Sequence, residues 1–154
     1  MGGAALVGHA LGKNNIKDAK TVSLVAAIMS FSLVTVFAVL VFSFPRNFIV
    51  CFLTEKDEID LSIPMVYLLS SSLLPLGFLS GISVSFSGAG DNKPRLYSSL
   101  ISRWLVQLPY LLVVVNYLRL PLVFVWASYL IAETVELLVV LYCYKMRRWY
   151  EIRV

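Results

Sequence analysis

Residues Thr21–Pro45 read TVSLVAAIMSFSLVTVFAVLVFSFP, 25 residues without one charged side chain. A helix needs about 20 apolar residues to cross a bilayer core of ~30 Å. A surface helix of a water-soluble domain keeps a polar face and seldom runs so far uncharged. Three more stretches follow: Leu61–Gly90, also uncharged, Leu96–Leu118 with Arg103 alone, and Leu120–Tyr144 with Glu133 and Glu136. Four such stretches in 154 residues leave little polar surface to face water. The chain reads as all-α, a polytopic membrane helical bundle. Its spans, here A to D, cover about 21–45, 58–90, 94–118 and 121–145.

Composition agrees. Hydrophobic residues make up 59% of the chain and charged residues 14%, well below the ~25% of soluble domains. The net charge of +4 does not mark a nucleic-acid binder, because the basic residues are scattered through short loops rather than gathered on one soluble face. Their distribution predicts orientation instead. Lys13, Lys17, Lys20, Lys93, Arg95, Lys145, Arg147, Arg148 and Arg153 fall on one side of the spans, and only Arg46, Lys56 and Arg119 on the other. Cytoplasmic loops are the lysine- and arginine-rich ones. The N-terminal stretch and the C-tail are therefore expected in the cytoplasm of a cell expressing a multi-pass plasma- or inner-membrane protein. Trp149 and Tyr150 suit the cytoplasmic interface. Cys51 and Cys143 are expected at opposite faces, too far apart for a disulfide. No ligand set for a metal, no cofactor motif and no nucleophile with a base is present, so no enzyme chemistry is expected.

Residues 1–12, MGGAALVGHALG, form a short apolar segment closed by Gly12 and Asn14, a helix ending. Its length of ~18 Å is too short to span. Span A carries small residues at helical spacing, Ser23, Ala27, Ser30 and Ala38, which let helices approach closely. Span B holds Pro75, Gly77 and Gly81 amid serines. Proline removes a backbone hydrogen bond and kinks a helix, so this segment reads either as a tight packing face or as a hinge beside a cavity. The loop Gly88-Ala89-Gly90-Asp91-Asn92-Lys93-Pro94 reads as a turn, with Asp91 or Asn92 near the next helix cap and Pro94 in its first turn.

Ionisable groups inside spans cost roughly 2.5–3.5 kcal/mol each on insertion scales, and they usually face a bundle interior and a partner. Ser99, Arg103, Gln107 and Tyr110 share one helical face of span C; Tyr129, Glu133 and Glu136 share one of span D. Arg103 lies ~10 Å and Glu136 ~12 Å from the same side. In an antiparallel hairpin this register predicts an Arg103–Glu136 ion pair, with Gln107 opposite Glu133 and Tyr110 opposite Tyr129. Glu133 is then the acid without a cationic partner, a group able to take up and release a proton or a cationic substrate. The same residues would equally lock span C against span D.

Three stretches together resemble the MATE (multidrug and toxic compound extrusion) family. Ala5-Leu6-Val7-Gly8-His9-Ala10-Leu11-Gly12 is similar to the family's LVGQ-x-LGA segment at the inner end of the second helix of each half, with His9 in place of Gln. The loop Gly88-Ala89-Gly90-Asp91-Asn92-Lys93-Pro94 resembles GAGD-T-x-P. Trp104 with Leu108-Pro109-Tyr110-Leu111 resembles the W-x-x-x-x-P-L-A-Y start of the eleventh helix, and Arg147-Arg148-Trp149 the basic tail after the twelfth. The resemblance implies the end of helix eight, as a half-helix, followed by helices nine to twelve: part of a C-terminal transporter half, with the N-terminal half missing. It implies an antiporter that exports amphipathic or cationic small organic compounds in exchange for protons or sodium, working within the lipid bilayer. Span B lacks the acid that some members carry in helix ten, so that coupling site does not transfer. Two other readings remain open from the residues alone: a self-contained four-helix exporter that oligomerises, or a non-transporting scaffold or lipid-flippase fragment.

Overall fold

The computed structural model describes residues 2–13 and 15–146; the tail with Arg147, Arg148, Trp149, Tyr150 and Arg153 lies outside them. Six helices follow one another: α1 (Gly2–Gly12), α2 (Ile16–Ser43), α3 (Pro45–Val50), α4 (Lys56–Gly88), α5 (Lys93–Tyr117) and α6 (Leu122–Met146). No strand occurs among the described residues. Helices α2, α4, α5 and α6 correspond to spans A to D, and each is long and apolar enough to cross a membrane.

Helices α2, α4 and α5 begin earlier than their apolar runs, and α6 begins at Leu122, just inside its own. Asn15 caps α2, its Oδ1 accepting from the Asp18 N–H at 3.2 Å, which satisfies a free donor of the first turn. Polar Lys17 and Lys20 therefore ride on the helix end. Helix α4 starts at Lys56 with Asp57 and Glu58 in its first turn, where negative charge suits the helix dipole. It then continues through Pro64 and Pro75 as one helix. It closes on Gly90, whose φ of 73° is left-handed. The Asp91 N–H reaches Phe86 O and the Gly90 N–H reaches Ser87 O, the paired bonds by which a C-terminal glycine ends a helix. Pro94 follows in the first turn of α5.

Helix α5 is not uniformly α-helical. Ile101–Gln107 and Val113–Tyr117 are π-helical, with the Leu108 N–H bonding Arg103 O five residues back. Pro109 has no N–H to give to Leu105 O, which favours the wider pattern just before it.

The four long helices stand in a row, α2 beside α4, α4 beside α6, and α6 beside α5. Helix α6, last in the chain, thus sits between α4 and α5. Helix α1 packs across α2 and α4. The shared core is at the α1 end: Val7, Ala19, Ala27, Leu79, Phe86 and Val140 are buried together, and Phe86 meets Tyr144 edge-on at 6.3 Å. The small residues do the packing. A Cβ on Gly81 would stand 2.2 Å from Ala27 Cα, and one on Gly88 2.6 Å from Val7 Cβ. Ser23 and Ser85, both buried, hydrogen-bond across α2 and α4. Gly77 lies against Val34. Gly77 and Gly81 are therefore contact points between helices, and Pro75 lies on the same unbroken helix.

Candidate functional site

The polar residues of α5 and α6 converge where the π-helical turn of α5 faces α6. Glu133 and Glu136 are 7% and 6% exposed. Arg103 Nη2 reaches Glu133 Oε1 at 2.5 Å. Arg103 Nη1 donates to Gln107 Oε1 at 3.1 Å, Gln107 Nε2 donates to Ser128 Oγ at 3.4 Å, and Ser128 Oγ donates to Val125 O at 2.6 Å. Each donor in this chain has one acceptor, so the amide of Gln107 has only one orientation that satisfies it. Ser102 Oγ lies 3.1 Å from Glu136 Oε2.

The expected Arg103–Glu136 pair is therefore corrected to Arg103–Glu133. The depths assumed an α-helical rise throughout. The π-helical turn over Ile101–Gln107 winds more widely. It carries Ser102 to the place opposite Glu136, and the long Arg103 side chain reaches back to Glu133, about one turn away. Gln107 is correspondingly bonded to Arg103 and Ser128 rather than set against Glu133. Tyr110 is half-buried, and Tyr129 stacks on Trp126 at 5.8 Å. Sequence reasoning missed Ser102 and Ser128. Their signal was present only as small polar side chains flanking the charges.

Glu133 has a second peculiarity. Its Oε2 is buried without a hydrogen-bond partner among the described residues. A buried acceptor left unpaired is costly and asks for a reason. No other charged side chain is available from α4, which carries none between Asp60 and Asp91.

Four long apolar helices with buried charges between two of them define a multi-pass membrane protein. The family model for MatE matches residues 1–113, and the chain belongs to that family, which comprises transporters rather than enzymes. The matched part includes Arg103 and Gln107 and stops before Glu133 and Glu136. No curated protein and no solved structure matches the chain.

Proposed function

We propose that this chain is the portion of a MATE-type exporter running from the end of helix eight through helix twelve, and that it works with an N-terminal half around a shared cavity. The whole transporter would move amphipathic or cationic organic compounds out of the cell in exchange for protons or sodium. The N-terminal stretch and C-tail would face the cytoplasm of the plasma or inner membrane, because the basic residues gather at that end. The observation that carries the reading is Glu133 Oε2, a buried carboxylate oxygen with no partner. It sits beside an arginine that has already spent its charge on the neighbouring oxygen. An intramembrane acid so placed is a ligand for a passing cation or proton. Gln107 and Arg103 hold its carboxyl in position, and Tyr129, partly exposed on the same helix, offers an aromatic surface for a cationic substrate.

The test is efflux of tetraphenylphosphonium, a lipophilic cation, from cells or vesicles carrying the whole transporter. Glu133→Gln keeps the shape and removes the charge. Its efflux driven by a pH or sodium gradient should fall at least tenfold at equal protein level. Efflux and ion dependence like those of the parent would remove Glu133 from the transport path.

A further inference from the structure

At the end of α2 far from the α1 core, the short helix α3 packs against α4 with Ile49 buried. Two adjoining cavities open at this corner, of about 290 and 300 Å³. Phe37, Val41 and Phe48 line both, and the first reaches across to Val66, Leu69 and Leu73 of α4. Phe48 stands edge-on to Phe37 at 6.4 Å. Ser70 and Ser72 also touch the first cavity, but their hydroxyls donate to Val66 O and Leu69 O at 2.7 Å. Neither has a hydrogen left for a polar guest. Walls of this kind favour hydrocarbon. A helix, about 10–12 Å across with its side chains, is too thick for such cavities, whereas a single acyl chain is not.

Charges of both signs stand at the mouth. Arg46 directly precedes Asn47 and Phe48, which line the second cavity. Asp60 precedes Val66 on α4 by roughly 9 Å along the axis. Arg46 Nη2 and Asp60 Oδ1 are 3.6 Å apart, with side chains 60% and 64% exposed. That is longer than a charge-assisted hydrogen bond of about 2.7–2.9 Å, and so open a pair contributes little. The guanidinium keeps N–H groups to give, and the carboxylate keeps lone pairs to accept. Lys56 and the acids Glu55, Asp57 and Glu58 lie in the same stretch, so acids outnumber bases here by four to two. A headgroup of net negative charge is repelled by this surplus. A headgroup carrying both signs is matched: phosphate oxygens suit the planar fork of Arg46, and an ammonium suits Asp60.

We propose that this corner is a docking site for one phosphatidylethanolamine molecule. Its phosphate lies on Arg46, its ammonium on Asp60, and one acyl chain runs into the groove past Phe48, Val41 and Leu69. The choice of headgroup follows from hydrogen-bond chemistry. A primary ammonium brings three N–H donors to a carboxylate, and the trimethylated nitrogen of phosphatidylcholine brings none. The site requires that the helices sit in a bilayer and is independent of what the protein transports.

Native mass spectrometry of the full chain, released from vesicles of equal parts phosphatidylethanolamine, phosphatidylcholine and phosphatidylglycerol, tests it. The chain should retain one lipid, with phosphatidylethanolamine at least fivefold over either other. Arg46→Gln changes an exposed side chain and should cut that retention at least fivefold. Asp60→Asn should leave phosphatidylethanolamine and phosphatidylcholine equally retained. Four results would each overturn the site: no retained lipid, a second chain held in its place, equal retention of the ethanolamine and choline lipids by the parent, or preference for phosphatidylglycerol. Retention by Arg46→Gln equal to the parent's, or an ethanolamine preference that survives Asp60→Asn, would remove the assigned headgroup contacts and the proposal with them.

Discussion

Gly81→Ala should loosen the contact between α2 and α4 and destabilise the bundle by about 2–3 kcal/mol, the upper part of the range for overpacking a filled site. The added carbon would meet Ala27 Cα at 2.2 Å, Ala27 N at 2.9 Å and Ala26 O at 3.0 Å. All three are backbone atoms, so no side chain can rotate away and one helix must shift. The buried Ser23–Ser85 hydrogen bond lies about one turn along the same interface and would be stretched with it. Gly12→Ala is the matched control, since a Cβ there meets nothing within 4 Å; its change should stay within about 1 kcal/mol, the size of a helix-propensity effect. Thermal unfolding in detergent, followed by tryptophan fluorescence, compares the two. Equal stability of Gly81→Ala and the parent would show that α2 and α4 do not touch here. A hinge role for Gly81 predicts altered transport kinetics with unaltered stability instead.

The second large effect concerns pairing. Arg103→Met should cost about 3 kcal/mol, the low end for breaking a buried ion pair, since Arg103 itself is only half-buried. Most of that cost comes from leaving Glu133 buried without its partner. Adding Glu133→Gln to Arg103→Met should therefore recover most of the loss, and adding Glu136→Gln should not. Non-additivity of this kind marks residues in direct contact. Rescue by Glu136→Gln in place of Glu133→Gln would restore the pairing that straight-helix geometry predicts.

That contrast shows where the sequence is legible. Spans declare themselves through their length of uncharged apolar residues, as in Thr21–Pro45. Their ends do not, because Asn15 and the acidic first turn of α4 extend helices into polar sequence. That the Arg103 face of span C meets the acid-bearing face of span D follows from helical spacing, and α5 does pack against α6; the depths, taken along a straight helix, point to Glu136. Which acid it takes depends on a π-helical turn, and no residue pattern in Ile101–Gln107 announces one; only Pro109, just beyond it, gives a physical cause. The tight contact at Gly81 was readable as one of two possibilities. The structure adds that the close neighbour of Gly81 is backbone rather than side chain.

The position of α6 between α4 and α5 has a bearing on how the chain is made. Helix α5 leaves the ribosome before the helix that will cover its charged face. During that interval Arg103 stands in the bilayer without a carboxylate, at a cost of roughly 3 kcal/mol for an uncompensated arginine near mid-membrane. The short turn from Gly88 to Lys93 keeps α4 close by, yet α4 offers no acid to hold it. The carboxylate comes with Leu122–Met146, which carries Glu133 to Arg103. Insertion of the third long helix is thus completed by the fourth, and the two behave as one unit of assembly.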